Sequence, residues 1–303
     1  MYIIYMSDII IIRILGNDLK MHDDNQTYNN LKFTLENEHN FNNTDKLYIL
    51  NKIINTKKKN QLIALLEKHM TKYIDIPIDK DNIRQLKYDY NWNYIEKSFF
   101  SNTISKKTIG NKRKEIHNQL YIFNQHIINN NGIRNYAIDY GKKHSYTWTF
   151  VLDSNNFILI DDFNTIMRNL KCDTEYIILP TKRLTDNDLQ NTNIFDKNMI
   201  SKLPHQEPQI AFKNTSTVKY NPDIPYGASP KVELLQVLKI KGKWDDWKDY
   251  YKWYGIKPRH PINAKCQILS QIIRLKSSDK FTNNTTDNWF NRIVGLYILI
   301  KDI

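Results

Sequence analysis

The apolar and polar positions of this chain alternate between short hydrophobic runs and longer stretches of helical period. Residues 9–15 (IIIIRIL) are a continuous apolar run rich in β-branched residues, the pattern of a buried strand. Gly16-Asn17-Asp18 breaks it. Tyr28, Leu31 and Leu35 recur at i, i+3 and i+7, with Thr27 available as an N-cap, and predict a helix. Residues 46–50 (KLYIL) predict a second strand. Leu62, Leu65, Leu66 and Met70 share one face of a helix over residues 61–70. Residues 73–78 (YIDIPI) predict a third strand, stopped by Pro77. This β-α-β-α-β order with short connections predicts an α/β fold with a parallel sheet and right-handed crossovers.

Residues 79–110 are polar and aromatic without a clean period, and read as an insertion or a helix pair. Helices are predicted over residues 113–128 and from Arg134 to about Lys142, with Asn129-Asn130-Asn131-Gly132 as the loop between them. Residues 146–152 (YTWTFVL) predict a strong strand, which Asp153-Ser154-Asn155 interrupts and residues 157–160 resume. Asp161 and Asp162 open a short helix, and residues 175–179 (EYIIL) are a further strand. Residues 181–204 read as a polar surface loop, and residues 209–212 and 217–220 as a strand pair. Residues 232–238 predict a helix with Ser229-Pro230 at its start. The remainder is Trp-rich, then helical. The expected organisation is a sheet domain over residues 1–225 and a C-terminal helical extension over residues 226–303, packed on the core.

Composition narrows the class. A chain of 303 residues with 41% hydrophobic, 25% charged and 12% aromatic side chains excludes wholesale disorder. Two cysteines cannot build a disulfide framework or a four-thiolate zinc site. The apolar run at residues 9–15 is far short of the ~20 residues that span a bilayer, so no transmembrane segment is expected. Asp8 and Gly16-Asn17-Asp18 do not fit the flanks of a signal peptide. The expected location is cytoplasmic, or the host cytoplasm or virion for a viral source. The net charge of +12 has two readings: drift in a chain rich in Asn, Ile and Lys, or a surface that attracts phosphates. The basic residues are scattered rather than striped, with no zinc, RNP or helix-turn-helix signature, which disfavours nucleic acid as the partner.

The densest chemistry lies in residues 131–155, NGIRNYAIDYGKKHSYTWTFVLDSN. It reads as helix, strand and acidic turn. In an open α/β sheet, ligands bind at the carboxyl ends of strands, where the strand order reverses. Asp153 is expected at such an end. Arg134 and Asn135 are expected at a helix start, where free N–H groups favour an anion. A carboxylate beside an anion site is able to hold Mg²⁺ or Mn²⁺ against a phosphate.

Gly132, Arg134, Asn135 and Gly141, followed by the apolar strand Phe150-Val151-Leu152 and then Asp153 and Asn155, resemble the inverting nucleotide-sugar glycosyltransferases of the GT-A fold, family 2 in particular. The resemblance covers roughly residues 9–220. It extends to a bacterial and viral subset through Arg13 with Gly16-Asn17-Asp18-Leu19, Glu207-Pro208-Gln209, and Tyr226-Gly227 through Lys231-Val232-Glu233-Leu234-Leu235. It implies a GT-A-type, Rossmann-like open sheet with helices on both faces. It also implies transfer of a sugar from a nucleotide-diphosphate donor, a UDP-sugar favoured, to a glycan or protein acceptor hydroxyl. The family motif is usually Asp-x-Asp, whereas this chain has Asp153-Ser154-Asn155. Asn brings a carbonyl oxygen but no charge, so the expected divalent cation (Mn or Mg) is weakly held or dispensable. A catalytically inactive scaffold of this fold or a glycan-binding protein is the first alternative, and a basic nucleic-acid-binding protein the second.

On this resemblance Arg13 and Asp75, near the ends of the first and third strands, would touch the base and ribose. Arg134 and Asn135 would face the phosphates. Asp153 would hold the diphosphate, with Asn155 and His205 completing a metal site. Glu207 is the first candidate for the base that deprotonates the acceptor; Glu233 is the second. The aromatic cluster over residues 244–254 reads as a sugar platform or as packing. His22 and His260 carry no clear role.

Overall fold

The computed structural model describes residues 8–19, 22, 25–94, 97, 118–184, 196–229, 231–242, 244–245, 251–252, 255–275 and 285–303. Strands β1 (Ile9–Leu15), β2 (Thr44–Asn51), β3 (Lys72–Ile76) and β4 (Trp148–Asp153) are parallel and lie in the order β3-β2-β1-β4. The first two are near-continuous apolar runs because both faces of the sheet are covered. Helices α1 (Gln26–Asn37) and α2 (Thr56–Lys68) connect them, followed by α3 (Lys80–Asp89), α4 (Tyr121–Ile127) and α5 (Asn130–Lys143). The chain first moves outward from β1 through β2 to β3, then returns to the other side of β1 with β4. The strand order therefore reverses between β1 and β4.

Beyond β4 the sheet becomes mixed. It continues through β7 (His205–Lys213), β6 (Tyr176–Arg183), β9 (Ile272–Arg274) and β5 (Asn156–Phe157), with β8 (Cys266–Ile268) also pairing β6. The strand β7 is antiparallel to both β4 and β6. Helices α6 (Ile160–Asn169), α7 (Lys197–Lys202), α8 (Val232–Val237) and α9 (Thr285–Lys301) complete the described elements. On one face, Ile10, Ile12, Ile49 and Val151 pack with Ile133, Ala137 and Ile138 of α5 and with Leu234 and Leu235 of α8. On the other, Ile9, Ile11, Phe150 and Leu152 pack with Phe163 and Ile166 of α6. Also on that face, Leu31 and Leu62 bring α1 and α2 onto Tyr48 and Leu50. Gly141 lets α5 lie close to β4: a Cβ there would come within 1.9 Å of Thr149 Oγ1. Among the described residues no helix is long and apolar enough to cross a membrane.

Five expectations are corrected. Helix α5 starts at Asn130, not Arg134, because Asn129 caps it: its Oδ1 accepts from Gly132 N at 2.9 Å. The asparagine run that reads as loop is thus the first helical turn. After the Asp153 turn the chain does not resume β4; Asn156 and Phe157 pair with β9 at the far edge. Residues 217–220 form no strand, since β7 finds its partners in β4 and β6. The expected helical extension also contributes β8 and β9 to the main sheet. Cys266-Gln267-Ile268 and Ile272-Ile273-Arg274 are too short to show a period in the sequence. The expected loop over residues 181–204 includes the end of β6 and all of α7, while its residues 185–195 lie outside the described residues.

Candidate functional site

Asp153 is the last residue of β4, and Ile14 of β1 is its Cα partner across the strand-order reversal. The turn after it is tied by Asp153 N donating to Asn156 Oδ1 at 3.0 Å. Three side chains from other elements converge on the carboxylate. Arg134, in the second turn of α5, donates Nη2 to Asp153 Oδ1 at 2.8 Å, and its Nη1 is held by Asn131 Oδ1 at 3.0 Å. Lys231, just before α8, donates Nζ to Asp153 Oδ2 and to Gln209 Oε1, each at 2.8 Å. Gln209 Nε2 completes the ring, donating to Asp153 Oδ2 at 3.1 Å.

The cations lie beneath the carboxylate. The Arg134 and Lys231 side chains are 6% and 1% exposed, whereas that of Asp153 is 25% exposed. Burial alone would raise the Asp153 carboxyl, but Lys231, Arg134 and Arg274 hold it well below the usual range. Burial pulls the Lys231 ammonium down to about 8, against the opposing pull of Asp153. Glu207 joins through its Oε1, which accepts from Lys231 N at 3.2 Å. The pairing of β6 with β7 slips at this point, where Leu179 faces Gln209 but Thr181 faces Gln206. Pro208, which has no N–H, lies in the slip, and such irregularities re-aim side chains. Tyr220 stacks beside the Arg134 guanidinium, 5.5 Å from the ring centroid. Its buried hydroxyl has no hydrogen-bond partner among the described residues.

A cavity of about 330 Å³ opens one strand away, at the carboxyl ends of β1 and β2. Asn17, Asp18, Thr27, Lys58 and Asp302 are among its lining residues. Asp18 accepts from Thr27 N at 3.0 Å and Thr27 Oγ1 at 2.6 Å, and pairs with Lys58 at 3.3 Å. Asn17 bridges the two strand ends, donating to Lys52 O at 2.9 Å and accepting from Ile54 N at 2.8 Å. The turn Gly16-Asn17-Asp18-Leu19 is thus an ordered wall. Helix α9 forms another wall, and Gly295 admits it: a Cβ there would lie 3.0 Å from Leu19 Cβ.

Several expected site residues are elsewhere or otherwise engaged. Arg13 is fully buried, paired with Glu38 and donating to Asn156 O at 3.1 Å; it anchors the turn behind Asp153. Asp75 pairs with Lys59 at 2.8 Å on strand β3, the strand farthest from β4 on that side. Its neighbours Ile74 and Ile76 share the face of Ile14, so by strand alternation Asp75 points to the opposite face from Asp153. Asn135 clamps the backbone of Tyr220, donating to its O at 2.9 Å and accepting from its N at 3.0 Å. Neither Arg134 nor Asn135 is at a helix start, so the expected anion site on free N–H groups is absent from that point. Glu233 is fully buried and takes a bidentate pair from Arg259, both bonds at 2.8 Å, and is structural.

A divalent cation on Asp153 does not fit this arrangement, because Arg134 takes one oxygen and Lys231 with Gln209 the other. Asn155 is buried in the turn, its backbone O accepting from Leu275 N at 2.8 Å. His205 opens β7 with Lys182 as its Cα partner, and none of the contacts described for Asp153 involves either residue. No group of three or more His, Cys, Asp or Glu side chains placed for a metal occurs among the described residues. His22 Nδ1 accepts from Leu19 N at 3.1 Å beside the cavity, and His260 is exposed. Trp244 and Tyr251 are buried and pack rather than present a platform; Trp247, Tyr250, Trp253 and Tyr254 lie outside the described residues.

Nothing in the sequence marks Lys231, Gln209 or Tyr220 as site residues. Lys231 and Gln209 fall inside two of the quoted motifs, yet nothing in the linear chain links them to Asp153. No protein-family model matches the chain, and no curated protein matches it.

Proposed function

We propose that the protein transfers a sugar from a nucleotide-diphosphate donor to an acceptor hydroxyl, with inversion, on a sheet of GT-A type. The observation that carries this reading is the placement of Asp153, Arg134, Lys231 and Glu207 together beside the β1/β4 reversal, next to a cavity at the ends of β1 and β2. The cavity is of a size for a small ligand, and on this reading takes the base and ribose of a UDP-sugar. Around Asp153, the cationic Arg134, Lys231 and Arg274 outnumber the carboxylates Asp153 and Glu207. A surplus of fixed positive charge favours a departing diphosphate. Asp153, ionised and partly open, accepts hydrogen bonds from donor hydroxyls. Glu207 removes the proton of the acceptor hydroxyl as the acceptor's oxygen bonds to the anomeric carbon. The bond from that carbon to the phosphate oxygen breaks, and the diphosphate leaves with the electron pair.

The test is donor binding by calorimetry and transfer by product analysis, across nucleotide sugars and glycan or protein acceptors. Glu207→Gln keeps the side chain's shape, so donor affinity stays within about twofold while transfer falls by about 10²–10⁴-fold, the usual contribution of a general base. An unchanged rate removes Glu207 from the role, and failure of every nucleotide sugar to bind overturns the reading. A second reading, an inactive scaffold or glycan-binding protein of the same fold, draws on Asn155 at the second acidic position and on the full engagement of both Asp153 oxygens. Donor or glycan binding without turnover would select it.

A further inference from the structure

Carboxylate and amide oxygens are the ligands that Mg²⁺ and its relatives take from proteins. Asp153 Oδ2 and Gln209 Oε1 are two such oxygens converging on one point, and the atom at that point is Lys231 Nζ, 2.8 Å from each. We infer that the Lys231 ammonium occupies the place of a divalent cation on Asp153, so that donor handling at this site is independent of added metal.

Three features of the cluster support this. Lys231 is fully buried, and its backbone N is fastened to Glu207, so the ammonium is part of the fold. The other Asp153 oxygen is held by Arg134, whose second nitrogen is fixed by Asn131; neither cation is free to swing aside for an incoming ion. An entering divalent ion would meet the fixed charges of Lys231 and Arg134 at short range, where the cations already outnumber the carboxylates Asp153 and Glu207. Because Lys231 is sealed from solvent, it acts through Asp153, as a residue that positions and neutralises that carboxylate. Only its value to sugar transfer rests on the proposed function; the cation position stands apart from it.

The experiment is a Mn²⁺ titration of the full chain at neutral pH, read by the electron paramagnetic resonance of free Mn²⁺, on wild type, Lys231→Ala, Lys231→Met and Asp153→Asn. In wild type, no binding tighter than about 1 mM, the weak end for oxygen-ligand sites, is expected, and a melting shift produced by UDP is unchanged by EDTA. Lys231→Ala takes the ammonium off Asp153 Oδ2 and Gln209 Oε1, leaving Oδ2 only its bond from Gln209 Nε2. It is expected to bind Mn²⁺ at least about tenfold more tightly, a gain that adding Asp153→Asn abolishes. Lys231→Met fills the lysine volume and shows the same gain if the alanine variant does not fold. Wild-type binding at submillimolar Mn²⁺ that Asp153→Asn removes would overturn the inference. So would a folded Lys231 variant that gains no binding. If the metal results follow expectation while no nucleotide sugar binds, the transfer reading fails and this inference stands.

Discussion

Two buried guanidinium–carboxylate pairs sit on neighbouring strands and do opposite work. Arg13 of β1 pairs with Glu38 at the end of α1, and both side chains are 0% exposed. The fold itself encloses that pair: Glu38 also accepts from Ile158 N at 2.9 Å and pairs with Lys46 at 3.0 Å. Arg134 pairs with Asp153 one strand over, but there the carboxylate stays partly open above its buried cations. Residue type does not separate the two. Enclosure does: a sealed pair is joinery between elements, and a pair whose carboxylate faces outward is available to a ligand.

The sharpest way to break this comparison is to remove one partner from the sealed pair. Glu38→Leu leaves Arg13 without its carboxylate in the interior and is expected to cost about 3–5 kcal/mol of stability. Urea unfolding measures it; a loss below about 1 kcal/mol would show that the pair is not structural. At the open pair the cost is smaller, because water screens part of Asp153. Asp153→Asn is expected to cost about 1–3 kcal/mol at neutral pH, with a definite pH signature. The folded carboxyl sits below its unfolded value, so its contribution is complete above the ordinary carboxylate range and is lost as pH falls through the folded value. The stability gap between wild type and Asp153→Asn should therefore narrow in acid, and a gap of constant size from neutral pH to about pH 3 would sink the assignment. The smallest effect belongs to the half-buried pair on the outer strand. Asp75→Ala should cost under about 1 kcal/mol and leave nucleotide affinity unchanged; a tenfold loss of affinity would return Asp75 to the site.

The hydrophobic pattern made the first half of the sheet legible. The run over residues 9–15 is β1 residue for residue, and Asp153 does end its strand at the carboxyl edge. Where the pattern failed, the competing physics was local. An asparagine run served as a helix cap and first turn, and three-residue strands gave no period to read. The site was legible only in part. Asp153, Arg134 and Glu207 belong to one cluster, whereas Arg13, Asp75, Asn135 and Glu233 have structural partners that a polar residue's position in the sequence does not reveal.

The order of apolar runs, by itself, determined that this chain builds a parallel β-α-β-α-β unit with an acidic residue at a strand end. Burying β-branched runs on both faces leaves few other arrangements. Only the tertiary structure decided what surrounds that acid. Lys231 and Gln209 stand 78 and 56 residues away from Asp153 in the chain, on a helix entry and a slipped strand. Whether a carboxylate meets a metal, an ammonium or a salt-bridge partner depends on which oxygens and cations the packed elements bring within bonding distance, and no linear spacing encodes that.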